Sequence, residues 1–202
     1  MPRNIAIVGN GAFAPSDASR IDNCDVVIRF NDCRSVGDGG SRTDVVAVCN
    51  TGRPASAMIR QRTWRETAAI AHANAIWCVR DGGKFAELKP GLIAQQSGLD
   101  DFCDDYTDEF AHFATETAKV FTVIPRRYHD RVDLELKTRV TSNYVVPSSG
   151  MIAVSYVIGE VAVEDDTVLL AGFGHQGWSG HSFRAERDLI DQYIADGLLR
   201  RI

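Results

Sequence analysis

Short runs of apolar residues recur along the chain, and two of them are followed directly by glycine. The first, residues 5–8, is followed directly by Gly9-Asn10-Gly11. A continuous apolar run of this length that meets a glycine turn is typical of a strand buried on both faces of a parallel sheet. We predict strands at six such runs: residues 5–8, 26–30, 45–48, 75–79, 120–124 and 168–171.

Helical patterns fill several of the intervals between these runs. Residues 54–73 begin with a proline, which favours the first turn of a helix. Residues 151–161 form an apolar helix, and residues 182–195 an amphipathic one. Strands that alternate with helices predict one Rossmann-like α/β domain over residues 1–202, with a mostly parallel sheet and helices on both faces. Ligands bind such sheets beside the carboxyl ends of the strands.

Composition excludes several classes of function. The net charge of −5 comes without a long basic run, which argues against a nucleic-acid partner. Five cysteines lie far apart and are predicted to be free thiols in a reducing compartment. The N-terminal apolar stretch is too short for a signal peptide or membrane span, so we expect a cytoplasmic protein. No Cys/His spacing indicates zinc. The acidic segment 98–108 is interpreted as a solvated loop, with a metal site as the alternative.

The first glycine turn has two interpretations. Gly9, Gly11 and Ala14 match the G-x-G-x-x-A fingerprint of dinucleotide-binding folds, in which backbone amides approach a phosphate. Asp32 lies at a suitable distance downstream to bind a ribose hydroxyl. This interpretation predicts an NAD(P)-dependent oxidoreductase. However, Pro15 and the polar residues after it interrupt the long helix that the fingerprint requires.

Other polar residues at predicted strand and helix ends suit a nucleotide. Asn10 and Asn31 supply carboxamides for a ribose or base. Ser148-Ser149-Gly150 opens a helix, so its hydroxyls and free amides can receive a phosphate, although either serine can also simply cap the helix. Gly172-Phe173-Gly174 leaves the last predicted strand, where it forms either a floor beneath a nucleotide or a tight structural turn.

Three segments in this order resemble the motifs of the sialyltransferases. From Ile21 to Asn31 the chain reads Ile-Asp-x-x-Asp-x-Val-x-Arg-x-Asn, which together with residues 5–11 and 38–43 resembles the long motif of that family. Residues 147–174 resemble its short motif, and residues 181–186, His-x4-Glu, its very short motif. The chain therefore resembles a small bacterial-type soluble sialyltransferase, glycosyltransferase family twenty-nine-like, with a variant GT-A fold.

The resemblance implies inverting, metal-independent transfer of an acidic sugar from a CMP-sugar donor to a glycan or small hydroxyl acceptor, without a cofactor. His181 would be the general base, since a neutral imidazole can remove the acceptor's proton. Glu186 belongs to the same catalytic motif, where it fixes the local geometry. The nucleotide would bind to Gly9, Asn10, Gly11, Asn31, Ser148, Ser149, Gly150, Gly172, Phe173, Gly174 and His175. The alternative outside enzymology is a nucleotide-binding module without turnover.

Overall fold

The architecture is a parallel sheet within a single α/β domain, in a computed structural model that describes residues 1–95, 98–140 and 144–202. In these ranges the sheet has seven strands, all parallel, in the spatial order β5-β4-β3-β2-β1-β6-β7. The strands are β1 (Asn4–Val8), β2 (Val26–Phe30), β3 (Val45–Val48), β4 (Ala75–Cys78), β5 (Val120–Val123), β6 (Thr167–Ala171) and β7 (Arg200–Arg201).

Helices connect most of these strands. They are α1 (Asp17–Asp22), α2 (Gly52–Arg60), α3 (Arg62–Glu66), α4 (Ala68–His72), α5 (Gly82–Gln95), α6 (Thr107–Glu116), α7 (Arg126–Lys137), α8 (Ser149–Tyr156) and α9 (Phe183–Ala195). A turn of π-helix, Val157–Val161, continues α8. Every helix in the described ranges is too short or too polar to cross a membrane.

Alternate residues of the central strands face two different helical layers. Ile5 and Ile7 of β1 belong to a core cluster that includes buried side chains of α7, α8 and α9. Ala6 and Val8, on the opposite face, pack with Ile21 of α1. The same opposite face of β3 and β4 packs against α2, α3, α4 and α6. Because both faces are covered, the strands are apolar throughout, as expected for a parallel sheet.

The sheet reverses its winding beside β1, and this reversal positions the candidate site. From β1 the chain adds β2, β3, β4 and β5 towards one edge, and then returns to place β6 on the other side of β1. The loops that follow β1 and β6 therefore lead to helices on opposite faces of the sheet, α1 and α9. A crevice forms between such loops at the carboxyl ends of the two strands, where doubly wound sheets bind ligands.

The predicted fold class and all six predicted strands are confirmed, whereas the helix predicted over residues 54–73 is wrong. Backbone angles at Gln61 (ψ 106°) and Thr67 (ψ 129°) are extended, and they divide this segment into α2, α3 and α4. The breaks turn the Trp64 side chain inwards, where its Nε1 donates a hydrogen bond to the backbone oxygen of Asn31 at 3.0 Å. The sequence prediction also omits α1, α5, α6, α7 and the exposed strand β7.

The acidic segment is tied to the rest of the fold and not simply solvated. Asp101 pairs with Arg53 of α2 at 2.8 Å, and Asp104 pairs with Lys89 of α5 at 2.7 Å. Over the ranges that the structure describes, no group of three or more His, Cys, Asp or Glu side chains has a geometry that could hold a metal ion. The five cysteines are all buried free thiols.

Candidate functional site

A cavity of about 690 Å³ opens at the carboxyl edge of the sheet, in the crevice beside β1 and β6. The loops after β1 and β6 and the N-terminus of α8 line it together. All of the residues predicted for the site lie in its wall: Gly9, Asn10, Gly11, Asn31, Ser148, Ser149, Gly150, Gly172, Phe173, Gly174, His175, His181 and Glu186. Tertiary folding thus brings together residues from five separated parts of the sequence.

The glycines after β1 and β6 pack directly against one another. A Cβ atom at Gly9 would lie 2.4 Å from the carbonyl oxygen of Gly172, and one at Gly11 would lie 2.7 Å from the same oxygen. The Gly11 amide donates a hydrogen bond to that oxygen at 2.7 Å. Gly172 itself has a φ of +64°, a conformation that favours glycine. These glycines therefore allow two loops to cross closely, and the Gly11 amide is not free for a phosphate.

The dinucleotide interpretation of the first glycine turn is wrong for the same reason. The helix that follows, α1, has only six residues and begins beyond Pro15. Asp32, proposed for the ribose, forms an exposed ion pair with Arg34 at 2.9 Å. A dinucleotide site needs open amides at a helix that starts directly after the turn. Here the Gly9 and Gly11 amides both donate to backbone oxygens and the helix begins only at Asp17, so an oxidoreductase of this type is not supported.

The N-terminus of α8 is organised by a contact between Ser148 and Glu186. The Ser148 hydroxyl accepts a hydrogen bond from the Met151 amide at 3.2 Å, which makes Ser148 the N-cap. Its own amide and hydroxyl donate to the Glu186 carboxylate at 2.7 and 2.6 Å. Ser148 is therefore fully engaged within the protein. The amides of Ser149 and Gly150 belong to the first helical turn, have no acceptor in the described part of the chain, and lie at the cavity.

Glu186 is a buried carboxyl group with an altered acidity. Only 2% of the residue is exposed, although it belongs to the first turn of α9. Burial raises its pKa to about 7, against the opposing effect of the two hydrogen bonds from Ser148. The group therefore holds the ends of α8 and α9 together and titrates near neutral pH. Its predicted catalytic role stays a prediction from the sequence motif.

His181 is held as a neutral imidazole. Its Nδ1 lies 2.8 Å from the backbone oxygen of Val146, and because a carbonyl oxygen only accepts, we assign the proton to Nδ1. Burial lowers the pKa of His181 to about 4, against the opposing effect of the hydrogen bond to Val146 and with a smaller contribution from the positive charge of Arg80. The rings of Trp178 and Phe183 pack edge-on against it. The Nε2 atom keeps its lone pair at neutral pH, so this side chain can accept a hydrogen bond at the cavity.

Two non-glycine residues of the cavity wall have left-handed backbone conformations. Asn31 has a φ of 53° and His175 a φ of 49°. The Asn31 carboxamide oxygen accepts a hydrogen bond from the Cys49 amide at 2.8 Å, so this side chain also joins β2 to β3. The Nε2 atom of His175 is buried without a hydrogen-bond partner in the described ranges. Such conformations cost energy and often occur at functional sites.

Several cavity residues were outside the sequence prediction, and Arg80 is the most important. It follows β4 at the carboxyl edge and is only 4% exposed. Its place directly after a predicted strand was a usable signal, but one arginine in an unremarkable segment has no motif around it. Trp178, Phe102, Arg34 and Arg53 are among the other lining residues that the sequence prediction missed.

Comparisons with known proteins give a close relative and distant structural neighbours. No family model matches the chain. The chain is 49% identical over 200 residues to the urease operon 23 kDa accessory protein of Rhizobium meliloti (strain 1021), which covers 99% of this chain and 93% of the relative. A mammalian sialyltransferase structure matches 100% of this chain and 69% of its own, with a TM-score of 0.58 and 15% identity. A sialyltransferase solved in complex with CMP matches 98% of this chain and 80% of its own, with a TM-score of 0.56 and 12% identity.

The predicted membership of the sialyltransferase family is wrong, and so are the predicted glycosyltransferase activity and the expectation of an enzyme. The close relative is an accessory protein, whereas likeness at 12–15% identity shows the fold alone. The three motifs that suggested a transferase lie at strand ends and helix termini of this shared fold. Identity of 49% over nearly the whole of both chains is decisive: the chain belongs to the family of the urease operon 23 kDa accessory protein.

Proposed function

We propose that this protein is an accessory factor for urease that acts by binding a small ligand in the cavity, without converting it chemically. The relationship to the urease operon accessory protein over 99% of the chain carries this proposal. The partners that follow from it are urease itself or proteins that act on urease. The five buried free thiols support a reducing, cytoplasmic setting for this work.

The cavity supports the ligand-binding part of the proposal. Its volume of about 690 Å³ lies within the range of pockets that hold nucleotide-sized molecules. Asn10, the free amides of Ser149 and Gly150, and the Nε2 atom of His181 offer polar contacts around it. These are the groups that we propose for the ligand. Ser148 and Glu186 are not available to the ligand, since their polar atoms are already paired with each other; they hold the N-terminus of α8 in place.

Glu186 and His181, the two cavity residues with strongly shifted pKa values, favour ligand binding over catalysis. Glu186 spends both carboxylate oxygens on Ser148. His181 is fixed through Nδ1 to a backbone oxygen and stays neutral well below pH 7. A general acid–base pair needs both groups within reach of a substrate. In this cavity Glu186 is bound to Ser148 at the N-terminus of α8, and His181 serves as a hydrogen-bond acceptor.

The test is complementation in a urease-positive host from which the gene has been deleted. We expect the deletion to lower urease activity while urease protein is still made, and the wild-type gene to restore it. Gly174→Trp should not restore activity, because Gly174 lies in the cavity wall and a Cβ there meets nothing closer than 3.9 Å. A side chain can therefore start from Gly174 without meeting the backbone, and we expect the added ring to occupy the cavity.

Gly91→Trp is the matched control. Gly91 lies in α5 with open space around its Cβ position and is not part of the cavity wall. This variant should restore urease activity as well as the wild type does. Normal urease activity in the deletion strain would overturn the accessory role. Full restoration by Gly174→Trp, with the protein present at wild-type abundance, would overturn the role of the cavity.

A further inference from the structure

The backbone of Arg80 is fixed in place at the carboxyl end of β4. The side chain of Asn50, which follows β3, accepts a hydrogen bond from the Arg80 amide at 2.8 Å and donates one to the Arg80 carbonyl oxygen at 2.9 Å. Asn50 is itself fully buried. A carboxamide that pairs with both backbone groups of one residue leaves that residue little freedom, so the Arg80 side chain starts from a defined position at the cavity.

The guanidinium group of Arg80 lies against two aromatic rings, and its hydrogen-bonding groups are only partly paired. It lies 4.8 Å from the ring centre of Phe85 and 4.9 Å from that of Phe102. Its Nη1 donates to the Thr51 hydroxyl at 2.7 Å, while its Nε is buried without an acceptor in the described part of the protein. The rings offset part of the cost of burying this cation. They leave N–H groups of the fork without an oxygen acceptor.

Arg80 differs from the other two arginines of the cavity wall. Arg34 pairs with Asp32 at 2.9 Å and Arg53 pairs with Asp101 at 2.8 Å, and both side chains are largely exposed. Within the described ranges, Arg80 has no carboxylate at ion-pair distance. A buried charge is costly unless an opposite charge or a hydrogen-bond acceptor compensates it. Of the three arginines of the cavity wall, Arg80 is therefore the most buried and the one with the least compensated charge.

We propose that Arg80 binds the phosphate group of the ligand, with the open N-terminus of α8 completing the subsite. This inference rests on the proposed ligand-binding function of the cavity. The planar guanidinium fork matches two oxygens of a phosphate, and charge-assisted hydrogen bonds of this kind are the stronger ones in proteins. The free amides of Ser149 and Gly150 at a helix N-terminus suit the same anion. Arg80 and these amides line one cavity.

The test measures binding of inorganic pyrophosphate to the purified full-length protein by calorimetry at constant ionic strength. Wild-type protein should bind, and Arg80→Gln should bind at least about tenfold more weakly, as expected when a charged hydrogen-bond donor is lost. Arg34→Gln removes the same charge from the same cavity wall but breaks an existing ion pair. It should therefore change the affinity by about twofold or less. Malonate, a dicarboxylate of similar size, should bind more weakly than pyrophosphate.

Several outcomes would overturn the assignment: no pyrophosphate binding by wild-type protein, tighter binding of malonate than of pyrophosphate, or equal losses in Arg80→Gln and Arg34→Gln. If Arg80→Gln does not fold, Arg80→Lys replaces it, since lysine keeps the charge but lacks the fork. It should bind at least about threefold more weakly than wild type, and wild-type affinity would contradict the proposal. Failure of these assays with intact urease complementation overturns only this inference. Pyrophosphate binding without any effect of gene deletion overturns only the accessory role.

Discussion

The two glycine-containing segments at the cavity look similar in sequence but use their backbones in opposite ways. In the crossing after β1 and β6, the Gly9 and Gly11 amides donate to the carbonyl oxygens of Ala171 and Gly172 at 2.8 and 2.7 Å. At the start of α8, the amides of Ser149 and Gly150 have no acceptor among the residues that the structure describes. The first segment matches a well-known phosphate fingerprint, yet the second has the amides that a phosphate needs.

The difference shows that glycine spacing alone is a poor guide to an anion site. Glycine serves wherever two backbones approach closely, and at Gly9 the neighbouring backbone belongs to the protein itself and not to a ligand. The amides at a helix N-terminus are open by geometry, because no preceding turn supplies acceptors for them. Here Ser148 caps only the Met151 amide, so the earlier amides stay available.

Gly9→Ala tests the loop crossing and should have the largest effect. Its Cβ would lie 2.4 Å from the Gly172 carbonyl oxygen, a backbone atom that cannot move without separating the loops. We expect the free energy of unfolding to fall by at least about 3 kcal/mol, at the upper end for overpacking. Urea denaturation measures this. Gly174→Ala, whose Cβ meets nothing closer than 3.9 Å, should stay within about 0.5 kcal/mol of wild type. Equal stability of the two variants would contradict the packing role of Gly9.

Glu186→Gln tests the helix side through its pH dependence. The pKa of Glu186 is raised from 4.5 to about 7 in the folded protein. Between these two pH values the carboxyl group is therefore protonated in the folded state and ionised in the unfolded state. The stabilisation from this proton is therefore present at low pH and is lost as the pH rises through 7. Relative to Glu186→Gln, the wild type should lose about 2 to 3 kcal/mol of unfolding free energy between about pH 4.5 and pH 8.

Comparing the pH dependence of stability in wild type and Glu186→Gln separates the effect of Glu186 from that of the buried histidines. His129 and His181 both have a pKa lowered to about 4 by burial, which makes stability rise with pH over the acidic range. Both are present in each protein, so their contributions cancel in the difference between the two denaturation series. A difference that does not change with pH would mean that Glu186 keeps an ordinary pKa.

The Ser148 and Ser149 pair gives the smallest and sharpest contrast. Ser148→Ala removes the N-cap and a hydrogen bond to Glu186, and should cost about 1 to 2 kcal/mol of unfolding free energy. Ser149→Ala should cost less than about 0.5 kcal/mol, because the side chain that caps α8 is that of Ser148 and not that of Ser149. Thermal or urea unfolding of both variants measures this. The opposite order would place the cap at Ser149 and contradict the assignment of open amides.

The resemblance to sialyltransferases was accurate about architecture and wrong about family. The matching segments lie after β1, around β2 and at the N-termini of α8 and α9. In folds of this kind, residues at these places contact the ligand. Two sialyltransferase structures accordingly share the topology at TM-scores of 0.58 and 0.56. Motifs at these positions report how a fold builds its crevice, and they do not specify the chemistry that takes place there.

Sequence by itself determined the sheet, because strands that are buried on both faces are apolar at every position. Continuous apolar runs such as 45–48 are typical of such strands. It also indicated where ligand-binding loops lie, since alternating strands and helices predict a parallel sheet whose strands all end at one edge. The strand order, and with it the place of the crevice beside β1 and β6, came from the structure. Tertiary structure alone decided which polar groups remain free. Ser148 and Glu186 hydrogen-bond to each other, and the Gly11 amide donates to Gly172. Arg80 has no carboxylate at ion-pair distance among the residues that the structure describes. Such pairings join residues far apart in the chain, so no local pattern can reveal them.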